Sequence, residues 1–200
     1  MYDVAAANLP ADALKINLIT PYFTKRESWK QYLKSDVFSY DPYYNNWTHL
    51  AWDIKHTMKT VNTPKTKPLW STIRCCGPTW YDCLDDWFDI RRQSSVAWIE
   101  GSDSINYFSF SHWLSDMERN AWYAVWPGPK GPVASPRRQI LDYAIADIQL
   151  MNSIEYLLNN DRGANNAEYR KQFSAAQKLC TQGKYYQAKV IFDELIAKLQ

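Results

Sequence analysis

The feature that most constrains the fold of this chain is a run of three prolines and two glycines between Pro127 and Pro132. Proline lacks the backbone N–H that a helix or an inner strand needs, and glycine loses more conformational freedom on folding than any other residue. Because neither a helix nor a central strand continues through such a run, we predict a Pro/Gly linker at 127–135. It divides the chain into an N-terminal region, 1–126, and a C-terminal region, 136–200.

The C-terminal region is predicted to contain three helices. Ser135 followed by Pro136 is a typical helix start, with serine as N-cap and proline at the first position, and this helix is expected to end near Asn160. Asn165 with Glu168 three residues later has the spacing of a capping box, which predicts the start of the second helix. A glycine at 183 then predicts its end, and a third helix completes the chain.

The last two helices resemble a tetratricopeptide (TPR) repeat, a two-helix unit used mainly to hold other proteins. The spacing G-x-Y-x-x-A-x-x-x-F-x-x-L is met by Gly183, Tyr185, Ala188, Phe192 and Leu195. Over 166–199, the resemblance implies that Ala188 lies where the two helices touch, that Phe192 fills the space beside it, and that Tyr186 is exposed. One such unit cannot bury its own outer face, so that face is expected on helix 136–160 or on a partner. A simple terminal helical hairpin is the alternative.

The balance of aromatic residues and glycines predicts the character of the N-terminal region. The chain has 10 Trp, 14 Tyr and 7 Phe but only 6 Gly. So few glycines supply few tight turns, which disfavours a β-sandwich or barrel and favours a mainly α fold. The many large aromatics are typical of protein interfaces, although a rich aromatic core is the alternative. We therefore expect an irregular, aromatic-rich, mostly helical region.

Apolar spacing divides this region into helices joined by irregular segments. It predicts an extended arm at 1–24, helices at 27–38, 46–60, 79–92 and 111–126, a linker at 61–73 and a short strand at 94–100. Arg91 and Arg92 are expected at the end of their helix, where cations complement the helix dipole. Six aromatic side chains are the candidate interaction residues: Trp80, Trp87, Trp122, Trp126, Tyr185 and Tyr186.

Two groups of residues raise the question of a chemical site. His49, Asp53 and His56 recur at i, i+4 and i+7, which predicts one face of the helix at 46–60, opposite its apolar stripe. Such ligands suit Zn or Fe, but solvent-facing helices often carry them, and nearby lysines disfavour a cation. They are weak metal candidates, and we predict no metal, no cofactor and no catalytic residue.

The cysteines form the second group. The sequence Cys75-Cys76-Gly-Pro-Thr79 is similar to a thioredoxin-like C-G-P-C loop, but Thr79 stands where the second cysteine would be. A reactive Cys76 before a helix start is one interpretation, and an inert cysteine near a turn is the favoured one. Four cysteines with a vicinal pair do not resemble a disulfide framework, so a reducing intracellular compartment is expected, either the cytoplasm or the matrix side of an organelle such as the mitochondrion.

Charge and hydropathy exclude several classes of partner. The chain has 23 basic and 21 acidic residues, a net charge of +2, so no nucleic acid is expected. No apolar run reaches the roughly 18 residues of a transmembrane helix, and no signal sequence is recognised, although peripheral association with a membrane complex remains compatible.

The favoured interpretation is a non-catalytic structural or accessory subunit that binds other protein subunits, and that is associated with an organellar membrane complex as one option. By analogy, its profile is similar to the accessory subunits of large organellar complexes or to small virion proteins. A TPR-type adaptor that binds a peptide is the second interpretation. A small metal- or thiol-dependent enzyme is the third.

Overall fold

The structure is a computed structural model, which describes residues 10, 12–19, 35–40, 47–61, 67–75, 89–108, 125–128 and 130–200. Within these ranges the chain forms five helices and six strands. The prediction of a mainly α fold is confirmed, and a small parallel sheet accompanies the helices.

Four parallel strands form the first layer of the N-terminal region. They are β1 (Ile16–Ile19), β2 (Val37–Tyr40), β3 (Leu69–Arg74) and β4 (Ser104–Phe108), and they lie side by side in chain order. Parallel neighbours need a crossover, which is commonly a helix. Helix α1 (Trp47–Val61) lies between β2 and β3 in the chain, and helix α2 (Ile90–Ile99) lies between β3 and β4.

The strand register explains how the sheet and these helices share one core. Phe38 is paired with Leu69, and Tyr40 with Ser71, so successive β2 and β3 side chains form rows on the same face. This face packs against Leu50 and Ile54 of α1 and against apolar residues of α2. On the opposite face of the sheet, Trp70 and Thr72 are half-buried and Phe108 is 53% exposed.

A β-hairpin connects the sheet region to the C-terminal helices. Strand β5 (Val125–Gly128) pairs antiparallel with β6 (Gly131–Ala134). Three helices follow, α3 (Pro136–Asn160), α4 (Asn166–Thr181) and α5 (Tyr185–Leu199). Ser135 caps α3 by accepting a hydrogen bond from the backbone N–H of Arg137, as the Ser-Pro signal predicted.

The C-terminal helices enclose a second core of their own. Gly183 has φ +73°, the left-handed conformation in which α4 gives way to α5. Ala188 and Phe192 are fully buried, and the Phe192 ring lies 5.9 Å from that of Phe173. Residues of α3 close the other side of this cluster, which includes Met151 and Ile154.

Three predicted segments differ from the structure because local composition concealed strands and the start of a helix. The predicted strand at 94–100 lies in α2, so Arg91 and Arg92 are in the first turn of a helix and not in its last. The end of the predicted linker at 61–73 overlaps β3, which begins at Leu69 after a Pro- and Lys-containing stretch. Ile16–Ile19 of the predicted arm pairs with β2 of the same chain.

Three further boundaries are corrected. The predicted linker at 127–135 contains the turn and second strand of the β5–β6 hairpin, because Gly131 at φ +121° permits a tight turn. Val125 and Trp126, placed at the end of a predicted helix, belong to β5, and Val37 and Phe38, also predicted as helical, belong to β2. Residues 1–9, 20–34, 41–46, 76–88 and 109–124, which hold other predicted segments, lie outside the described residues. Asn165 occupies the N-cap position of α4 but its side chain makes no capping hydrogen bond.

We predict that Phe192→Ala lowers the free energy of unfolding by about 3–5 kcal/mol, because it opens a cavity in a fully buried site. Ala188→Leu should cost about 1–3 kcal/mol by overpacking the contact between helices. Tyr186 is 82% exposed, so Tyr186→Ala should stay within about 0.5 kcal/mol of the wild type. Urea unfolding measures all three, and equal small losses for Ala188→Leu and Tyr186→Ala would refute this packing.

Candidate functional site

A cleft of about 900 Å³ lies beside β4, between this strand and helices α2, α3 and α4. Its floor is formed on the strand side by Ile105 and Tyr107, and the end of α2 adds Trp98. Within the described part of the chain, β4 is the last strand of the sheet and pairs only with β3. The cleft therefore borders a sheet edge.

Two helix faces form the opposite walls. Helix α3 contributes Ile145, Ile148, Gln149 and Asn152, and helix α4 contributes Arg170, Phe173, Ser174 and Gln177. Both sets follow the i, i+3, i+4, i+7 spacing, so each set is one continuous stripe along its helix. Both stripes mix apolar side chains with amides or a hydroxyl, a combination that buries apolar groups while offering hydrogen bonds.

Hydrogen bonds fix the aromatic side chains of the cleft. The Tyr107 hydroxyl donates to Ser94 Oγ of α2 at 3.0 Å, and burial raises the pKa of Tyr107 to about 12. Trp98 Nε1 donates to Asn152 Oδ1 of α3 at 2.8 Å, and its ring meets Phe173 edge to face at a centroid distance of 6.5 Å. Both rings are thus held in place by neighbouring helices.

Three charged side chains line the cleft: Asp103, Glu155 and Arg170. The Arg170 guanidinium donates to the backbone carbonyl of Leu158 at 2.9 Å, near the end of α3, and to the side-chain oxygens of Asn159 and Asn166. Its charge therefore compensates the partial negative charge of that helix end. The two remaining charges in the cleft are carboxylates.

A charged joint holds the helices of the cleft together. Arg91 of α2 makes a two-pronged ion pair with Asp147 of α3, with Nη2 to Oδ1 at 2.8 Å. The guanidinium also lies 4.1 Å from the ring centre of Tyr185 of α5. Burial disfavours the cation, but the hydrogen bonds and charge of Asp147 outweigh burial and raise the pKa of Arg91. This arrangement is structural, because both partners satisfy each other.

Asp89 connects the same joint to the start of α2. It accepts hydrogen bonds from the backbone N–H groups of Arg91 and Arg92, and from the Tyr185 hydroxyl. Burial raises the pKa of Asp89 above its ordinary value of 3.8, although these hydrogen bonds oppose the shift. Burial and the neighbouring carboxylate also raise the pKa of Tyr185. The Asp89 contribution to folding stability is thus full below pH 3.8 and declines above it, and the Tyr185 contribution declines above pH 10.

The weak metal candidates were predicted on the face of their helix opposite its apolar stripe, and this is wrong for Asp53, which is buried. His49 is exposed, and the His56 ring stacks on the Trp52 ring at a centroid distance of 4.9 Å. Lys55, one of the lysines near these candidates, forms an ion pair with Glu100 at 3.1 Å. Over the described ranges, no three His, Cys, Asp or Glu side chains are grouped so as to bind a metal ion.

The candidate interaction aromatics have different environments. Tyr186 is exposed, but Tyr185 is half-buried and its hydroxyl is used within the chain by Asp89. Trp126 belongs to β5, and Trp80, Trp87 and Trp122 lie outside the described residues.

The cleft residues were not predicted from the sequence. Their helical spacing on α3 and α4 was the available signal, but stripes that mix Ile, Phe, Gln, Asn and Ser are also typical of a solvent-facing surface.

Comparison of the chain with protein-family models, with curated proteins and with solved structures gave no match. Among the helices that the structure describes, none is both long and apolar enough to cross a membrane.

We predict that Arg91→Ala lowers the free energy of unfolding by about 2–4 kcal/mol, because it leaves the largely buried Asp147 carboxylate without its partner. Arg138→Ala is the matched control, since Arg138 pairs with Asp142 on the exposed side of α3, the helix that also carries Asp147. This substitution should cost less than about 1 kcal/mol. Equal losses in urea unfolding would show that the Arg91 pair is no more than a surface contact.

We also predict that Cys180 resists alkylation in the folded protein at pH 8. It is buried, and burial raises the pKa of its thiol to about 12, so almost no thiolate is present. Iodoacetamide treatment and trypsin digestion report it directly, because the peptide 179–184 contains no other cysteine. Rapid labelling of this peptide without urea would contradict the prediction, and the urea-unfolded chain is the positive control.

Proposed function

We propose that this chain is a non-catalytic interaction subunit that binds another protein, and that the cleft beside β4 is its binding site. The observation that carries the proposal is the composition of the cleft. Its walls combine apolar side chains with amides and hydroxyls, and they are held by the Arg91–Asp147 joint and by the Trp98–Asn152 hydrogen bond. A rigid, preformed site loses little conformational entropy when a partner binds.

The chemistry of the described residues supports binding more than catalysis. General acid–base work needs titratable groups whose pKa values are displaced towards the operating pH. The pKa values of Tyr107, Tyr185 and Cys180 are raised away from neutrality, so these groups remain protonated at pH 7. The pKa of Asp89 is raised towards neutrality, but its carboxylate accepts hydrogen bonds from the Arg91 and Arg92 backbone and from the Tyr185 hydroxyl, which makes it a part of the joint. For the described residues, the enzyme interpretation is therefore the less favoured one.

Exposed aromatic and aliphatic side chains on the C-terminal helices give further support. Tyr156 is 70% exposed and Tyr186 is 82% exposed, and Ile145 and Val190 are also exposed. Large side chains of this kind supply much of the contact area in protein interfaces. Membership of an organellar or mitochondrial complex, and association with a membrane through partner subunits, remain parts of the proposal that the composition alone favours.

The test is native mass spectrometry of the endogenous protein and of two variants expressed in its place. Ser174→Trp places a large ring in the cleft, whereas Ala175→Trp adds the same ring at the next exposed position of α4, outside the cleft. We expect the wild type and Ala175→Trp in a complex of fixed stoichiometry with other chains, and Ser174→Trp to be released from it. Thermal melts of the variants should agree, since both positions are exposed.

A wild-type protein found only as a free monomer would overturn the proposed function. A complex that Ser174→Trp leaves intact would overturn the assignment of the cleft as its binding site.

A further inference from the structure

We infer that the cleft binds an extended peptide segment of the partner, and that side-chain amides of α3 and α4 hold this segment by its backbone. This inference rests on the proposed function, and it specifies the conformation of the partner segment and the groups that recognise it. It is carried by the polar side chains of the cleft that have no partner within the described part of the chain.

The first argument is the hydrogen-bonding state of these side chains. Gln149 on α3 and Ser174 and Gln177 on α4 line the cleft, and over the described residues their side chains form no hydrogen bond. Asn152 of α3 accepts a hydrogen bond from Trp98 through its Oδ1, so its NH2 group is left to donate. The cleft thus offers three carboxamides and one hydroxyl to an occupant.

The second argument is the donor and acceptor chemistry of a carboxamide. Its NH2 group donates two hydrogen bonds and its carbonyl oxygen accepts, so one side chain can meet both a peptide N–H and a peptide C=O. An extended segment presents these two groups once per residue, about every 3.3 Å, and none of them is used within the segment. The carboxamides of the cleft therefore complement a peptide backbone.

A helical segment fits these groups less well. The N–H and C=O groups inside a helix bond to each other, so the backbone of a helical occupant offers the carboxamides no partner. An amide that loses its water without gaining a partner weakens binding. An extended segment avoids this cost, and its apolar side chains can pack on Ile105, Ile148 and Phe173 of the same lining.

Charge has a smaller part in the recognition. Arg170 already donates to oxygens of Leu158 and Asn159, and Asp103 accepts the backbone N–H of Leu69. Glu155 is exposed, so salt screens its charge. Neutral hydrogen bonds are therefore the basis of recognition, and the Kd of the segment is expected to change little with salt concentration.

The test starts with a library of random 12-residue peptides displayed on phage. The library is selected on the full-length protein and counter-selected on Ser174→Trp, and the enriched peptides are then synthesised and their Kd values measured by fluorescence polarisation. We expect enriched peptides whose Kd values are nearly independent of salt. Failure to enrich any peptide that distinguishes the two proteins, or a Kd that rises steeply with salt, would overturn the inference.

Glutamine variants test the role of the carboxamides. Gln149→Met and Gln177→Met keep the length of the side chain but remove its hydrogen bonds, so each should weaken the best peptide by about three- to tenfold. Gln187→Met is the matched control, since Gln187 is exposed on α5 outside the cleft lining and its substitution should leave the Kd unchanged. Equal Kd values for all three variants would overturn the inference.

Ester substitution in the best peptide tests whether the carboxamides hold its backbone. Replacing one peptide N–H by an ester oxygen removes one donor, and a scan of such peptides should find positions at which the Kd rises. In Gln149→Met the loss at one of these positions should disappear, and in Gln177→Met the loss at a different position, because the two glutamines lie on different helices. Losses that remain the same in both variants would indicate an occupant whose backbone is bonded internally, such as a helix, and would overturn the inference.

These outcomes are separate from those that test the proposed function. If Ser174→Trp releases the protein from its endogenous complex but Gln149→Met and Gln177→Met bind the peptides as the wild type does, the inference fails while the proposed function stands. A wild-type protein found only as a free monomer would instead overturn the proposed function, whatever the peptide results.

Discussion

The Arg91–Asp147 ion pair is the interaction on which the arrangement of the two parts depends. It joins the first turn of α2, which belongs to the sheet layer, to the middle of α3, which belongs to the C-terminal helices. Asp89 and Tyr185 extend it to the start of α5. A charged pair of this kind is directional, because the planar guanidinium fits one carboxylate geometry, whereas apolar contacts alone would allow the helices to slide. It therefore fixes the separation of α2 and α3, which are two walls of the cleft.

The same interaction shows where sequence reasoning succeeded and where it failed. The start and end of α3 were predicted closely, because Ser135 and Pro136 are local signals whose physical basis does not depend on the rest of the fold. The environments of Ala188 and Phe192 were likewise accessible from spacing within one hairpin. The role of Arg91 was not, since its partner is 56 positions away and the residue was assigned to the wrong end of a helix.

The parallel sheet was missed for a related reason. A short turn between two apolar segments predicts a hairpin, but parallel strands pair across long crossovers that leave no such local signal. Here β3 and β4 are separated by an entire helix. Val37–Tyr40 is buried throughout, so β2 has no alternation of apolar and polar residues to read. Ser94 and Ser95 lowered the apparent helicity of α2, yet both hydroxyls donate to backbone carbonyls one turn earlier and so fit within a helix. The cleft could not be predicted at all, because it exists only where β4, α3 and α4 converge.

The chain order of the strands has a consequence for how the molecule is made. The α4–α5 hairpin brings together residues close in sequence, such as Phe173 and Phe192, and contacts of that kind form early in folding. The sheet instead requires distant pairings such as Phe38 with Leu69, and α2 receives Asp147 only after most of the chain has been synthesised. During translation, the N-terminal strands are therefore synthesised before α3, the helix whose Asp147 pairs with α2. Between these two events β4 has no helical wall, so its edge is then most accessible to a chaperone.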